Sequence, residues 1–257
     1  MKDCREEWYD KDAKVAVTIV DVTGAAQELA RGHLAGPTAA HYLTEALASV
    51  ALLGAEMSEQ DETVILQAKC SGPLGGYNVE CTAAGTLRGY TEKKVLDGFD
   101  GLGRPKDKMV LGDQQIQVTR SVPGKILSQG ISASIDGYLA GSLQRKACIY
   151  LEAAVNDEVE ILEARGVMVE ALPDSKAMVS AFIPEKISVA SRNILKQLGL
   201  EKAELRKTTP LKFACRCSPD RALTMLAALS EEEKKSLPPT VDITCHMCGR
   251  TFTVKTR

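Results

Sequence analysis

Four of the eight cysteines lie between position 215 and the C-terminus at residue 257, and they form two close pairs. Cys215 and Cys217 stand in FACRCSPDR, and Cys245 and Cys248 stand in ITCHMCGRTFTV. Residues i and i+2 of an extended segment point to the same side, so both thiols of C-x-C can reach one point. A tight turn can bring the sulfurs of C-x-x-C together, and Gly249 supplies a permissive backbone directly after it. Because four thiolates suit the tetrahedral preference of Zn²⁺, we predict one zinc ion bound by these four cysteines.

The redox compartment decides whether such cysteines bind metal or form permanent disulfides. The first residues, MKDCREEWYDKD, are rich in acids and contain no apolar stretch typical of a secretory signal. We therefore expect a reducing, cytoplasmic location, or an organelle if a presequence has been removed, and we expect metal rather than permanent disulfides. Two questions stay open from the residues alone. The centre is either inert or redox-sensitive, and His246 either competes as a ligand or is a bystander.

The residues around the cysteine pairs predict a small module over Leu211–Arg257. Ser218 and Pro219 are typical of a helix start, and SEEE from Ser230 has the capping-box spacing of a second short helix. VDIT and TFTV are predicted as two strands that flank the C-x-x-C turn. So short a segment cannot bury a large core, and a structural metal would stabilise it.

The rest of the chain has the composition of a globular protein, with 44% apolar and 26% charged residues and a net charge of −2. Strand-like and helix-like patterns are mixed without a regular βαβ repeat, which favours an α+β fold. The longest apolar run, ALASVALLGA, is too short to span a bilayer. We predict strands over Lys14–Asp21, Thr63–Cys70, Tyr77–Ala83, Thr86–Thr91 and Gln115–Val122, two more strands within Glu158–Leu172, helices over Ala25–Arg31, Pro37–Met57 and Asp136–Val155, and a loop over Gly98–Lys108.

Three units follow from this pattern: an N-terminal α+β core domain of mixed sheet and helix (1–174), a helical linker (175–210) and a C-terminal zinc-binding module (211–257). The linker contains helical patterns interrupted by Pro184, and Gly199 is a plausible C-cap. The stretch LEKAELRKTTP after it is charged and poor in large apolar side chains, so we predict a marginal segment there.

Several other features are predicted to be structural. The four scattered cysteines are expected to act as small buried hydrophobes, the stretch from Thr38 to Met57 as a core helix rather than an exposed surface for binding other proteins, and two phenylalanines as core residues of the module. GPLGG and GLGRP lack the spacing of a nucleotide-binding loop, so no nucleotide is expected. The scattered cysteines are Cys4, Cys70, Cys81 and Cys148, and the phenylalanines are Phe213 and Phe252.

These residues also resemble a known family. FACRCS followed by ITCHMCGRTFTV is similar to the C-terminal zinc module of the heat-shock protein 33 family of redox-regulated holdase chaperones. LQAKCSGPLGG, GTLRGYT, VTRSVPGKILSQGIS and RGVMVEALPD resemble segments of that family's core domain in the same order. The stretch from Ser175 to Pro210 is short for the family's linker, and the chain ends three residues after TFTV.

The resemblance implies a switch rather than an enzyme. Cys215, Cys217, Cys245 and Cys248 would hold zinc in the reduced state, and oxidants would join Cys215 to Cys217 and Cys245 to Cys248 and release the metal. The module and the linker would then unfold and expose apolar surface. That surface would bind unfolding client proteins during oxidative stress without ATP, usually as a homodimer.

Two other functional classes compete with this interpretation. An enzyme is disfavoured because four cysteines close the metal site, no G-x-S-x-G or H-E-x-x-H is present, and no thioredoxin-like βαβ pattern surrounds the C-x-x-C pair. A nucleic-acid-binding zinc ribbon with an inert zinc is the alternative. The module holds 8 Lys+Arg against 5 Asp+Glu but only two aromatic residues for stacking, so this mild basic excess favours it weakly. We expect neither nucleic acid nor membrane as a partner.

Overall fold

The computed structural model describes residues 3–101, 103, 105–177 and 193–256. Its helices are α1 (Thr23–His33), α2 (Pro37–Leu53), α3 (Asp107–Val110), α4 (Ile135–Gly141), α5 (Ile194–Gln197), α6 (Pro219–Ala227) and α7 (Glu231–Ser236). Its strands are β1 (Cys4–Asp10), β2 (Val15–Asp21), β3 (Thr63–Cys70), β4 (Gly76–Thr82), β5 (Thr86–Thr91), β6 (Gln114–Val122), β7 (Lys125–Ser132), β8 (Lys146–Val155), β9 (Ile161–Ala171), β10 (Glu204–Pro210), β11 (Lys212–Phe213), β12 (Thr240–Thr244) and β13 (Thr251–Lys255).

The strands form two large sheets and one hairpin. A five-stranded sheet has the order β10-β1-β2-β9-β8, and a six-stranded sheet has the order β11-β5-β4-β3-β6-β7. Their strands pair antiparallel, except that β11 runs parallel to β5. The β12–β13 hairpin stands apart as the third sheet. This mixture of antiparallel sheets and helices confirms the predicted α+β class.

Helix α2 is the centre of the core domain and contacts strands of both large sheets. It is apolar around nearly its whole circumference, and Leu43, Leu47 and Val50 are at most 1% exposed. A helix that is apolar on all sides has to be enclosed by protein. The prediction that this stretch is a core helix is therefore confirmed, with Pro37 at its first turn as expected. No helix in the described part of the chain is long and apolar enough to cross a membrane.

A second, smaller apolar cluster lies on the five-stranded sheet. Alternate residues of β2 and β9 contribute four valines to it, and three residues of the segment 194–200 cover them. Successive side chains of a strand point to opposite faces, so the sheet can pack on the main core and on this cluster at once. The members are Val15, Val17, Val167, Val169, Ile194, Leu198 and Leu200.

Most of the predicted elements of the core domain are confirmed within a few residues. β2, β3, β4, β5 and β6 lie where the alternating patterns place them, and so does α1. α2 ends at Leu53 and continues as a 3₁₀ turn over Gly54–Glu56, close to the predicted end at Met57. The two strands and two capped helices predicted for the C-terminal module are also present.

The single helix predicted over Asp136–Val155 is wrong in its second half. α4 covers only Ile135–Gly141, and Ser134 rather than Asp136 caps it. The following residues form β8, which pairs with β9 along its length. The residues CIYLEAAV can form either a helix or a strand, and the neighbouring strand decides between them.

Other differences lie in the number of strands. The segment Glu158–Leu172 contains one long strand, β9, rather than two. β1 and β7 are additional strands that the sequence did not reveal. β1 (CREEWYD) carries charged residues at positions where a half-buried strand normally has apolar ones. β7 is exposed along one face and only partly buried along the other. α3 begins at Asp107, inside the end of the predicted loop.

The helical linker is partly wrong. Much of its predicted helical stretch, residues 178–192, lies outside the described residues. α5 is helical, and Gly199 follows it with a φ of 68°, as the predicted C-cap requires. Residues 204–210, however, form β10, which pairs antiparallel with β1 at the edge of the five-stranded sheet. Arg206 also lies over the Tyr9 ring, with its guanidinium 5.5 Å from the ring centre. The sequence of this polar segment gives no signal for a strand. It becomes one because the edge of β1 offers backbone groups with which it can pair.

Candidate metal centre

The C-x-C segment is held extended by the edge of the six-stranded sheet. The Lys212 amide donates to the Gly85 carbonyl at 3.0 Å, and the Ala214 amide donates to the Leu87 carbonyl at 3.1 Å. β11 follows β10 after one residue and precedes the first cysteine by one residue, so its parallel pairing with β5 fixes the backbone next to Cys215. The extended backbone explains why Cys215 and Cys217 present their sulfurs to one place.

The C-x-x-C pair occupies the tip of the β12–β13 hairpin. The Cys245 amide donates to the Arg250 carbonyl at 2.9 Å, and the amides of Cys248 and Gly249 donate back to the Cys245 carbonyl. Gly249 has a φ of 73°, and a Cβ built there would lie 2.0 Å from the carbonyl oxygen of Gly32. Glycine is therefore required both by the turn and by the close approach of the hairpin to the end of α1.

The four sulfur atoms converge. All four lie within 4.8 Å of one another, with 3.8 Å between the sulfurs of Cys215 and Cys245 and 3.4 Å between those of Cys217 and Cys248. A tetrahedral zinc with sulfur ligands at about 2.3 Å would place its ligands about 3.8 Å apart. The four-cysteine cluster therefore has the size and donor chemistry to hold a metal ion of this kind.

His246 lies beside this cluster and is not one of its converging residues. Its ring packs edge-on against Tyr90, with 5.8 Å between the ring centres. The described residues that could jointly hold a metal ion are the four cysteines.

The environment distinguishes the thiols from one another. Burial alone would raise the pKa of Cys215, but hydrogen bonds from the Cys217 amide, the Arg88 guanidinium and neighbouring thiols outweigh it and lower that pKa to about 7. Burial raises the pKa of Cys217, and the nearby Cys215 and Cys245 add to this rise. Burial and the neighbouring thiols also raise the pKa of Cys248. Cys215 is thus the thiol whose surroundings most favour the thiolate, the form that binds metal and reacts with oxidants.

A charged contact beside Cys215 was not foreseen from the sequence. Glu80 of β4 receives Arg88 of β5 at 2.7 Å and Arg216, the middle residue of C-x-C, at 2.8 Å. Arg88 also reaches the Cys215 sulfur at 3.9 Å. The only sign of this contact in the sequence is the basic residue Arg216 between the two cysteines. Its partner, Glu80, lies 136 positions earlier in the chain.

The remaining cysteines lie away from the cluster. Cys81 is fully buried and its pKa is raised by burial to about 11, which agrees with a structural role. Cys4, Cys70 and Cys148 are only partly buried, and burial raises the pKa of each. Phe213 is partly buried against the main apolar core.

The fold and the site together define a protein with a two-sheet core on which a small four-cysteine module is docked. Residues 7–255 match the family model described as Hsp33 protein. The chain therefore belongs to the Hsp33 family.

Individual relatives agree with this assignment. A 33 kDa chaperonin of Thermus thermophilus is 26% identical, over 92% of this chain and 79% of that protein. The 33 kDa chaperonin of Symbiobacterium thermophilum is 28% identical, over 90% of this chain and 86% of that protein. The crystal structure of the 33 kDa chaperonin (heat shock protein 33 homolog) of Thermotoga maritima has the same fold, with a TM-score of 0.87 and 19% identity over all of this chain and 96% of that one.

Proposed function

We propose that this protein is a redox-regulated, ATP-independent holdase chaperone that acts in the cytoplasm during oxidative stress. The observation that carries the proposal is the convergence of four thiols in a module whose described residues include only Leu211, Ala222 and Val254 as buried residues besides Cys248. The family membership and the chaperonin names of the relatives support the same assignment.

Cys215, Cys217, Cys245 and Cys248 are the sensor residues of this proposal. Bound zinc would keep the four sulfurs as thiolates and join the two cysteine segments. In oxidation, two thiolates give up two electrons to an oxidant such as hydrogen peroxide, and one S–S bond forms. The O–O bond of the peroxide breaks, and its two oxygen atoms receive the two electrons and two protons to give two water molecules. Two such reactions remove all four ligands, and with them the contribution of the metal to the module's stability.

We propose that the disulfides form within each pair, Cys215 with Cys217 and Cys245 with Cys248. Sulfur contacts of 3.8 and 3.4 Å in the folded site also join the two segments, but those partners are 30 and 31 positions apart in the chain. Once the module begins to unfold, sequence neighbours stay close together while distant partners separate. Pairs inside each motif are therefore favoured as the site opens.

The linker is the route by which the site acts on the core domain. β10 runs directly into β11 and the first cysteine, and Thr209 is its buried residue. A strand that buries so little apolar surface depends on what anchors its ends. Loss of the module would release β10 and, with it, the preceding segment 194–200, whose Ile194, Leu198 and Leu200 cover the valines of β2 and β9. The uncovered valines would form part of an apolar surface for unfolded client proteins, and a second copy of the chain would extend it as a homodimer.

The test compares the full-length chain in two states, zinc-loaded and reduced or treated with peroxide. Aggregation of a chemically denatured client is followed by light scattering, without nucleotide, while released zinc is followed with a chromogenic chelator. We expect suppression only after oxidation, together with zinc release. A variant with Cys148→Ser, outside the cluster, should behave like the parent. Equal suppression in both states would show a constitutive holdase, and salt-dependent nucleic-acid binding without any suppression would favour the zinc-ribbon alternative.

A further inference from the structure

The contact between Glu80, Arg88 and Arg216 links the cysteine site to the core domain. The Glu80 side chain is only 7% exposed, and its two carboxylate oxygens contact different arginines. Oε2 accepts from Arg88 Nη2 at 2.7 Å, and Oε1 accepts from Arg216 Nη2 at 2.8 Å. Because a buried carboxylate is costly unless it is paired, both arginines are held to this point.

The two arginines have different relations to the site. Arg88 is the cross-strand neighbour of Glu80 and reaches the Cys215 sulfur at 3.9 Å through its other terminal nitrogen. Arg216 belongs to the C-x-C segment, so its contact with Glu80 fastens that segment to β4 of the six-stranded sheet. One carboxylate thus orients a donor toward a metal-ligand sulfur and also holds the backbone that carries two of the ligands.

Charge makes this arrangement favourable for bound metal. Four thiolates around a divalent ion form a dianion, and the two arginines with one carboxylate place a net positive charge beside it. Groups that orient and neutralise metal ligands commonly change metal affinity by tenfold or more. Arg88 and Arg216 are therefore expected to raise the affinity of the site for the metal, although neither side chain can bind it.

We propose that the Arg216–Glu80–Arg88 contact sets the oxidant threshold of the switch by tying retention of the metal to docking of the C-x-C segment on the six-stranded sheet. Arg216 is a positioning residue in this scheme, because it acts through Glu80 and not on the sulfurs. The inference rests on the proposed redox function, and it concerns the dose and rate at which that function is triggered.

The experiment uses the full-length, zinc-loaded chain with Arg216→Gln. The Arg216 side chain is 57% exposed and Glu80 keeps Arg88, so this variant should fold. Zinc release to a chromogenic chelator is measured without oxidant and over a series of peroxide concentrations. We expect release about tenfold faster than in the parent chain in both conditions. Arg216→Lys, which keeps the charge and can still reach Glu80, should recover most of the difference.

Arg250→Gln is the matched control. Arg250 is exposed, follows Cys248 by two positions, and its replacement changes the net charge equally. We expect the parent rate for this variant. The proposal is overturned if Arg216→Gln releases zinc at the parent rate, or if Arg250→Gln accelerates release equally, since the effect would then be one of general charge. Failure of the redox function is a separate result: the parent chain itself would release zinc without gaining client binding.

Glu80→Gln combined with Arg216→Gln tests whether the two residues act through one contact. If they do, the double variant should release zinc no faster than the faster single variant, because the second change has no contact left to remove. If the two single changes accelerate zinc release by factors that multiply in the double variant, the two residues act independently, which would contradict the proposal.

Discussion

The core domain and the cysteine module differ in what stabilises them. The core domain encloses α2 between two sheets, and most residues of that helix are fully buried. From position 211 onward, the described residues that are buried are Leu211, Ala222, Cys248 and Val254. One of these four is itself a candidate metal ligand. The core domain can fold by apolar burial, whereas we expect the module to depend on a metal ion held by its four sulfurs.

This difference suits the proposed redox switch, in which one region changes state and the other does not. A switch has to unfold one region under conditions that leave another intact, so the two regions need different sources of stability. Oxidation of thiolates removes a metal centre but leaves packed leucines and valines unchanged. The docking contacts between the regions include the pairing of β11 with β5, the close approach of Gly249 to Gly32 at the end of α1, and the ion pair of Arg216 with Glu80.

Removal of the metal should give the largest effect. Stripping zinc from the reduced protein with a strong chelator should unfold the module, because a structural zinc contributes about 10 kcal/mol to so small a unit. Hydrogen exchange followed by mass spectrometry should show lost protection in peptides from α6, β12 and β13. Peptides from α2 and β9 should stay protected. Loss of protection throughout the chain would mean that the core domain also depends on the metal.

Truncation of a core leucine should have the opposite effect, destabilising the core domain and leaving the cysteine module unchanged. Leu47 is 0% exposed, and Leu47→Ala should destabilise the core domain by about 3 kcal/mol through the cavity that it leaves. Denaturant unfolding measures this loss, and chelator competition should find an unchanged zinc affinity. Leu223→Ala is the matched control, since Leu223 is 45% exposed on α6 and its truncation leaves no enclosed cavity. A zinc affinity that falls with Leu47→Ala would contradict independent stabilisation of the two regions.

The same difference explains which parts of the molecule could be predicted from the sequence. The cysteine spacing, Ser218 and the Ser230 capping box are local signals, and each of them appears in the structure as a local feature. Alternating strands such as β3 were equally clear because one face of each is buried. Local signals therefore placed the site and much of the core.

The errors fall where distant partners decide the structure. β10 is polar and becomes a strand only because the edge of β1 is free, and β8 becomes a strand because it lies beside β9. Glu80 meets Arg216 across 136 positions, and the basic residue between the two cysteines does not by itself indicate which carboxylate it contacts. Pairing of this kind depends on the assembled fold, which a single sequence does not display.

A helix cap next to the site should have a smaller effect, confined to the module. The Ser218 side chain accepts a hydrogen bond from the Arg221 amide at 3.2 Å and directly follows Cys217. Ser218→Ala should cost about 1 kcal/mol of helix stability, which corresponds to about fivefold weaker zinc binding in chelator competition. Ser230→Ala removes a similar cap from α7, away from the sulfurs, and should weaken zinc binding less. Equal losses would mean that the module folds as one unit around the metal.

The smallest effect should be the response of the core domain to acid through Glu62. Burial would raise the pKa of Glu62, but Arg120 and the amides of Ser58 and Glu59 outweigh it and lower that pKa. Since the folded pKa lies below the unfolded one, the stabilisation is complete above the ordinary carboxyl pKa and is lost as the pH falls through the folded value. The difference in unfolding free energy between the parent chain and Glu62→Gln should therefore shrink on acidification below the ordinary carboxyl range. Acid also protonates metal-binding thiolates, so zinc should be released before this change is complete, and the module should again be lost before the core. If the difference in unfolding free energy between the parent chain and Glu62→Gln stays constant with pH, protonation of Glu62 is not coupled to folding.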